Sequence, residues 1–301
     1  MHTAVLLLAY CLLILLASLA GGWIPMMVRL THRRMQLAVS LVAGVMLGVA
    51  LLHLLPHALE EVPGRLDLVC AWALAGFLAM FFIERFFCFH HHDVPMVREE
   101  ARPAESLAEE EHGDNCPHLH SPSHRLTWSG AAVGLTLHTV INGVALAAAV
   151  DAASHGRHAG WLAGLGTFLV IFLHKPFDAM TISTLMTVGG WSAGARHLVN
   201  GLFALMIPVG VTLFYLGLGA VQGGNLAAYA LAFSAGTFLC IASSDLLPEL
   251  QFHRHDRMVL SAALLLGLAV AWLIGMVESQ GHGHDPHPDR PAVEERHGHE
   301  H

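Results

Sequence analysis

Four side chains on two apolar stretches carry the most chemistry in this sequence. One stretch reads Leu137-His138-Thr139-Val140-Ile141-Asn142-Gly143, the other Leu173-His174-Lys175-Pro176-Phe177-Asp178. Residues four apart share a helix face, so His138 projects with Asn142 and His174 with Asp178. Two imidazoles, a carboxylate and an amide carbonyl suit a borderline divalent cation such as Zn²⁺. Asn is a weaker ligand than a carboxylate, so this set is less negative than two His with two carboxylates. That favours transit of an ion over tight storage. A lone histidine in such a stretch more often makes an interhelical hydrogen bond; two i,i+4 pairs on neighbouring stretches fit that reading less well.

Lys175, the single lysine of the 301 residues, stands beside these donors. A buried ammonium next to two imidazoles disfavours a second cation. It reads as a fixed charge in place of a second metal, with a structural ion pair to Asp178 as the alternative.

The elements that must hold these groups are membrane helices. Residues AVILMFWYC make up 54% of the chain, 13% are charged and the mean hydropathy is +0.55. A soluble chain carries about twice that share of charge. The apolar residues fall in eight blocks of bilayer length: 4–28, 36–58, 67–88, 127–150, 160–186, 198–220, 225–248 and 258–277. The first lacks a basic n-region and is too long for a signal-peptide core, so it counts as a span. A net charge of −8 excludes the basic face of a nucleic-acid binder. The five cysteines (Cys11, Cys70, Cys88, Cys116, Cys240) form no CxxC pair and no disulfide framework.

Arginine sets the orientation. Loops after spans 1, 3, 5 and 7 hold ten arginines, and the opposite loops with the tail hold four. The odd loops are therefore expected in the cytoplasm and both termini outside, in a multi-pass protein of the cell (inner) membrane. Residues 1–88 hold helices 1–3 and 127–279 hold helices 4–8. Residues 89–126 form a cytoplasmic His-rich loop and 280–301 an external His-rich tail. Both are low in apolar content and expected to be largely disordered; whether they bind metal in function is left open. At about 1.5 Å per residue, His138, Asn142, His174 and Asp178 all fall in the central band of a hydrocarbon core about 30 Å thick. Ionisable groups at that depth are functional hypotheses by default.

A repeat links spans 2 and 7. Residues 43–56 read AGVMLGVALLHLLP and residues 235–248 read AGTFLCIASSDLLP, identical at seven of fourteen positions. The two run through the membrane in opposite directions, so spans 1–3 and 6–8 form an inverted repeat around spans 4 and 5. Such repeats characterise secondary transporters with a midplane site. Two helices sharing a packing motif are the alternative. His53 and Asp245 occupy equivalent positions at opposite mouths. With His57 and Ser244 they read as entrance and exit stations, or as interfacial helix caps. Met46, midway along span 2, offers a soft thioether ligand, though methionine is more often core. Pro176, Pro56 and Pro248 are expected to open their helices locally and free carbonyls.

On the stretches AGVMLGVALLHLLPHALEE, LHTVINGVALA, LHKPFDA and SAGTFLCIASSDLLPEL, the chain resembles the ZIP family of divalent metal-ion transporters across all eight spans. The resemblance implies eight helices in a 3+2+3 arrangement, external termini, a transport site on spans 4 and 5, and movement of metal into the cytosol. It implies Zn²⁺ as substrate, with no cofactor. The family's span-4 motif has the form HNxPEG. His138 and Gly143 match it, Thr139 stands at the Asn and Asn142 at the acid. In span 5, His174 and Asp178 match a form near HxxPE. Lys175 falls where a second-site ligand is common, and Ile207 stands before Pro208 where many bacterial members have Glu. These departures argue against a binuclear centre. They carry over a single site at His138, Asn142, His174 and Asp178, and leave Fe²⁺, Mn²⁺ and Cd²⁺ open beside Zn²⁺.

Two rival functions remain. A proton-coupled metal exporter also uses HxxxD on a helix, as His174 and Asp178 provide, but usually has six spans and a folded cytosolic domain. A membrane-embedded metalloenzyme needs a rigid metal centre, and HExxH is absent. No residue offers covalent chemistry, so the chain is expected not to be an enzyme. Its partners are a divalent metal ion and the lipid bilayer; a homodimer is left open.

Overall fold

The computed structural model describes residues 2–27, 31–87, 124–155, 162–220, 225–252 and 257–280. The His-rich tail and most of the His-rich loop lie outside the described residues. Residues 124–126, expected in that loop, belong to a helix.

The described chain is helical, as a backbone in hydrocarbon must satisfy its own hydrogen bonds. The helices are α1 (His2–Met27), α2 (His32–Val49), α3 (Leu55–Glu61), α4 (Leu66–Phe87), α5 (His124–His155), α6 (Leu165–Val188), α7 (Ala193–Ala204), α8 (Met206–Ala220), α9 (Leu226–Phe252) and α10 (Arg257–Gln280). Span 2 comprises α2, a π-turn over Ala50–Leu54 and α3; span 6 comprises α7 and α8. Among the described residues, eight spans are long and apolar enough to cross a bilayer.

Two prolines coincide with helix breaks, and two do not. Pro56 has no N–H for the carbonyl of Leu52. The turn before it widens, and the Leu55 N–H reaches Ala50 O, one residue beyond the α spacing. Pro208 likewise cannot serve the carbonyl of Ala204, where α7 ends. Leu205 bridges the break by donating to both Gly201 and Leu202. Pro176 and Pro248 depart from expectation: α6 runs unbroken from Leu165 to Val188 and α9 from Leu226 to Phe252.

The most extensive helix pairings are α2 with α10, α4 with α9, α1 with α6 and α5 with α8. Exchange span 1 with 6, 2 with 7, 3 with 8 and 4 with 5, and each pairing maps onto another. The close contacts follow the same exchange. Gly44 meets the Leu264 carbonyl and Gly267 the Leu41 carbonyl; on the other side Gly236 meets that of Ala73 and Gly76 that of Phe233. Gly210 meets the Val140 carbonyl and Gly21 that of Pro176. A methyl group at any of these glycines would overlap backbone, and small residues of this kind let membrane helices approach closely. Met46, Leu146, Ile171 and Phe238 are fully buried in the apolar core these pairings enclose. Leu8, Leu16, Leu265 and Trp272 stay exposed on the outside, where lipid solvates them.

Gly236→Leu is expected to destabilise the detergent-solubilised protein by about 1–3 kcal/mol through overpacking, seen as a lower midpoint of thermal unfolding. Gly201→Ala, where an added methyl meets nothing within 4 Å, serves as the neutral control. Equal midpoints in both variants would contradict the close approach of α9 and α4.

Candidate metal centre

The centre is built where α5 and α6 face each other. His174 donates Nδ1–H to the carbonyl of Val170 at 2.7 Å, one turn earlier on its own helix. That bond fixes the tautomer and leaves the Nε2 lone pair free to accept. Asn142 Nδ2 donates to this Nε2 at 3.1 Å and to His138 Nε2 at 2.9 Å. The two Nε2 atoms are 3.4 Å apart. Asp178 Oδ2 lies 3.8 Å from His174 Nε2 and 4.0 Å from His138 Nε2.

These separations suit one cation. An ion about 2.0–2.1 Å from each of two nitrogens in tetrahedral geometry sets them about 3.3–3.4 Å apart. The carboxylate needs to close by only a few tenths of an ångström to join them. His138, His174 and Asp178 are the group among the described residues whose ligand atoms all lie within 4.8 Å of one another. Asn142 Oδ1 and His138 Nδ1 are buried without a hydrogen-bond partner among the described residues. Turning the Asn142 amide over would bring Oδ1 to the point between the two imidazoles.

Lys175 is fully buried and held on three sides. Nζ donates to Thr139 Oγ1 at 2.5 Å and to Asp178 Oδ2 at 3.5 Å, and it lies 3.7 Å from the centroid of the Phe203 ring. Thr139 in turn donates to the Leu135 carbonyl at 2.7 Å. The ammonium is thus an ion-pair partner of Asp178 and a neighbour of the donor set at once. Phe203, on α7, supplies a cation–π contact.

The repeat reaches the centre itself. With a shift of 36 residues, Leu137-His138-Thr139 overlays Leu173-His174-Lys175, and Asn142 overlays Asp178. Each histidine faces its own counterpart, and Lys175 bonds its counterpart Thr139. Comparing the two stretches directly would have revealed this in the sequence. The roles of Thr139 and Phe203 depend on tertiary contact, and no spacing signals them.

The remaining sequence candidates lie elsewhere. His53 sits in the π-turn, buried, with Nε2 donating to the Ala271 carbonyl at 2.8 Å. Gly166 and Gly275 lie against its ring. His57 pairs with Glu60 at 3.1 Å. Ser244 donates to Glu84 at 2.7 Å. Met46 is buried in the core, and its repeat counterpart Phe238 has its ring centroid 6.5 Å from that of His174. The side chain of Asp245 lies outside the described residues.

Residues 4–275 match the family model described as ZIP Zinc transporter. Among curated proteins, Zinc transporter ZIP9-A of Xenopus laevis is 28% identical, over 90% of this chain and 97% of its own length. Zinc transporter ZIP9 of Micropogonias undulatus is 32% identical over 56% of this chain and 58% of its own. Zinc transporter ZIP4 of Rattus norvegicus is 25% identical over 82% of this chain and 44% of its own.

The buried ammonium gives a test of this geometry. Thr139→Val removes an acceptor from a buried charge, which costs at least about 1–3 kcal/mol. In a double-mutant cycle with Lys175→Met, read by thermal unfolding, the two substitutions are expected to couple by about 0.5–3 kcal/mol. Simple additivity would contradict the contact.

Proposed function

This chain belongs to the ZIP zinc transporter family, and from that premise we propose that it carries Zn²⁺ into the cytoplasm by alternating access. The ion binds between α5 and α6 at His138, Asn142, His174 and Asp178. The observation that carries this reading is the pair of imidazole Nε2 atoms 3.4 Å apart, with a carboxylate oxygen within 4.0 Å of both, buried on two adjacent spans.

The cation reaches the outer mouth past His57 and His53. His53 must release the Ala271 carbonyl to meet it. At the midplane the ion exchanges water for two imidazole nitrogens and Asp178, and the Asn142 amide turns to offer Oδ1. Met46, whose repeat counterpart Phe238 lies beside His174, is the candidate soft donor. The ion leaves toward Ser244 and Asp245, as one half of the repeat shifts against the other.

Charge supports transit rather than storage. Lys175 and Asp178 cancel, so a bound divalent ion keeps a net charge of about +2 in a medium that penalises charge. Lys175 also fills the place of a second cation, which leaves one ion per cycle. Imidazole donors favour Zn²⁺ and Cd²⁺ over Mn²⁺. The arginine distribution supports external termini and a place in the cell membrane.

Radiolabelled Zn²⁺ uptake by proteoliposomes tests the assignment. Loss of groups that merely orient ligands costs about 10- to 100-fold, so His174→Ala and Asp178→Ala are each expected to lower uptake at least tenfold. Unchanged uptake in both would remove the proposed site, and efflux driven by a proton gradient would favour an exporter. Asn142→Asp adds a negative ligand. It is expected to lower the KM for Zn²⁺ and slow turnover; a raised KM would contradict Asn142 as a ligand.

A further inference from the structure

A carboxylate, a thiol and a hydroxyl converge near the other end of α9. Ser244 Oγ donates to Glu84 Oε2 at 2.7 Å, and Cys240 Sγ lies 4.0 Å from the same oxygen. Cys240 is buried and forms no disulfide. Glu84 and Ser244 are half-buried and stand toward the end of the bundle read as cytoplasmic. Cys240 and Ser244 stand four apart on one face of α9. Phe238 turns its ring toward His174, and two residues of α-helix rotate by about 200°. The cluster therefore sits on the opposite face of α9 from the midplane centre, against α4.

The repeat shows how particular this cluster is. The alignment of spans 2 and 7 makes Gly48 and Leu52 the counterparts of Cys240 and Ser244. The matched contacts of Gly76 and Gly267 make Gly275 the counterpart of Glu84. Gly275 lies against the ring of His53, the residue after Leu52, whereas Glu84 meets Ser244. One scaffold is used at both ends, and these three donor side chains stand at one end only.

We propose that Glu84, Cys240 and Ser244 form a second cation site, on the α4–α9 seam, for a thiophilic divalent ion such as Zn²⁺ or Cd²⁺. It goes beyond the transport reading and does not depend on it, because the ion can arrive from the inner solution. An ion about 2.3 Å from sulfur and about 2.0–2.2 Å from a carboxylate oxygen fits between atoms 4.0 Å apart after a contraction of about 0.5 Å to tetrahedral spacing. Binding forms one metal–sulfur and one metal–oxygen bond and releases water from the ion. The thiol proton passes to water. Thiolate and carboxylate then neutralise the ion, which suits a half-buried site. A bound ion ties α4 to α9 at their inner ends.

The test uses the full-length chain with Cys11, Cys70, Cys88 and Cys116 replaced by Ala, which leaves Cys240 as its one thiol. Cd²⁺ titration is followed by the ultraviolet thiolate-to-cadmium charge-transfer band. A saturable band is expected, reversed by Zn²⁺, absent after Cys240→Ala and retained in His174→Ala. Glu84→Gln is expected to weaken the apparent affinity at least about tenfold. No band from folded protein, the same titration with Glu84→Gln, or loss of the band with His174→Ala would each overturn the proposal. If the single-thiol chain fails to fold, the difference spectrum between wild type and Cys240→Ala reads the same band. Zn²⁺ uptake left unchanged by His174→Ala and Asp178→Ala, with the band intact, would count against the transport reading alone.

Discussion

Asp178 is the shared charge on which the centre depends. Its Oδ2 lies 3.5 Å from the Lys175 ammonium and within 4.0 Å of both imidazole Nε2 atoms. A carboxylate in hydrocarbon requires a partner, and here the partner is covalently fixed and itself held by Thr139 and Phe203. The pair is neutral together, so the donor set can stand in the membrane with or without a cation. A carboxylate already engaged by an ammonium is also a weaker metal ligand. Both effects fit the proposed transit of an ion rather than its storage.

The inverted repeat explains how such a centre comes to lie between two helices. Glycine contacts bring α2 to α10 and α9 to α4 in matched pairs, and bring α5 to α8 and α6 to α1 in another. The two central helices are thereby placed as counterparts across the same relation. Their histidines meet, and the neighbouring positions differ. Thr139 opposite Lys175, and Asn142 opposite Asp178, convert a near-symmetrical scaffold into a site with one carboxylate and one ammonium. The inner end of α9 shows the same division, with donor side chains at one mouth and glycine or leucine at the other.

Much of this was legible in the sequence. The eight spans follow from apolar blocks of bilayer length, and the structure keeps all eight. The facing pairs follow from i,i+4 spacing on adjacent stretches. Helix breaks were less legible. Pro56 and Pro208 accompany breaks, but Pro176 is accommodated inside α6, because packing against α1 at Gly21 fixes that segment. Phe203 and Glu84 were missed, since each meets its partner on another helix. The place of His53 in the chain puts it toward the outer end of span 2, but its bond to the Ala271 carbonyl is made across helices and had no signal in the sequence.

The most direct test of the central claim is an anomalous diffraction map of the full-length protein loaded with Zn²⁺, collected at the zinc edge. The account expects a peak between α5 and α6, about 2.0–2.1 Å from Nε2 of both His138 and His174, with Asp178 turned toward it. A map whose zinc lies only elsewhere, with the two imidazoles directed away from each other, would contradict it.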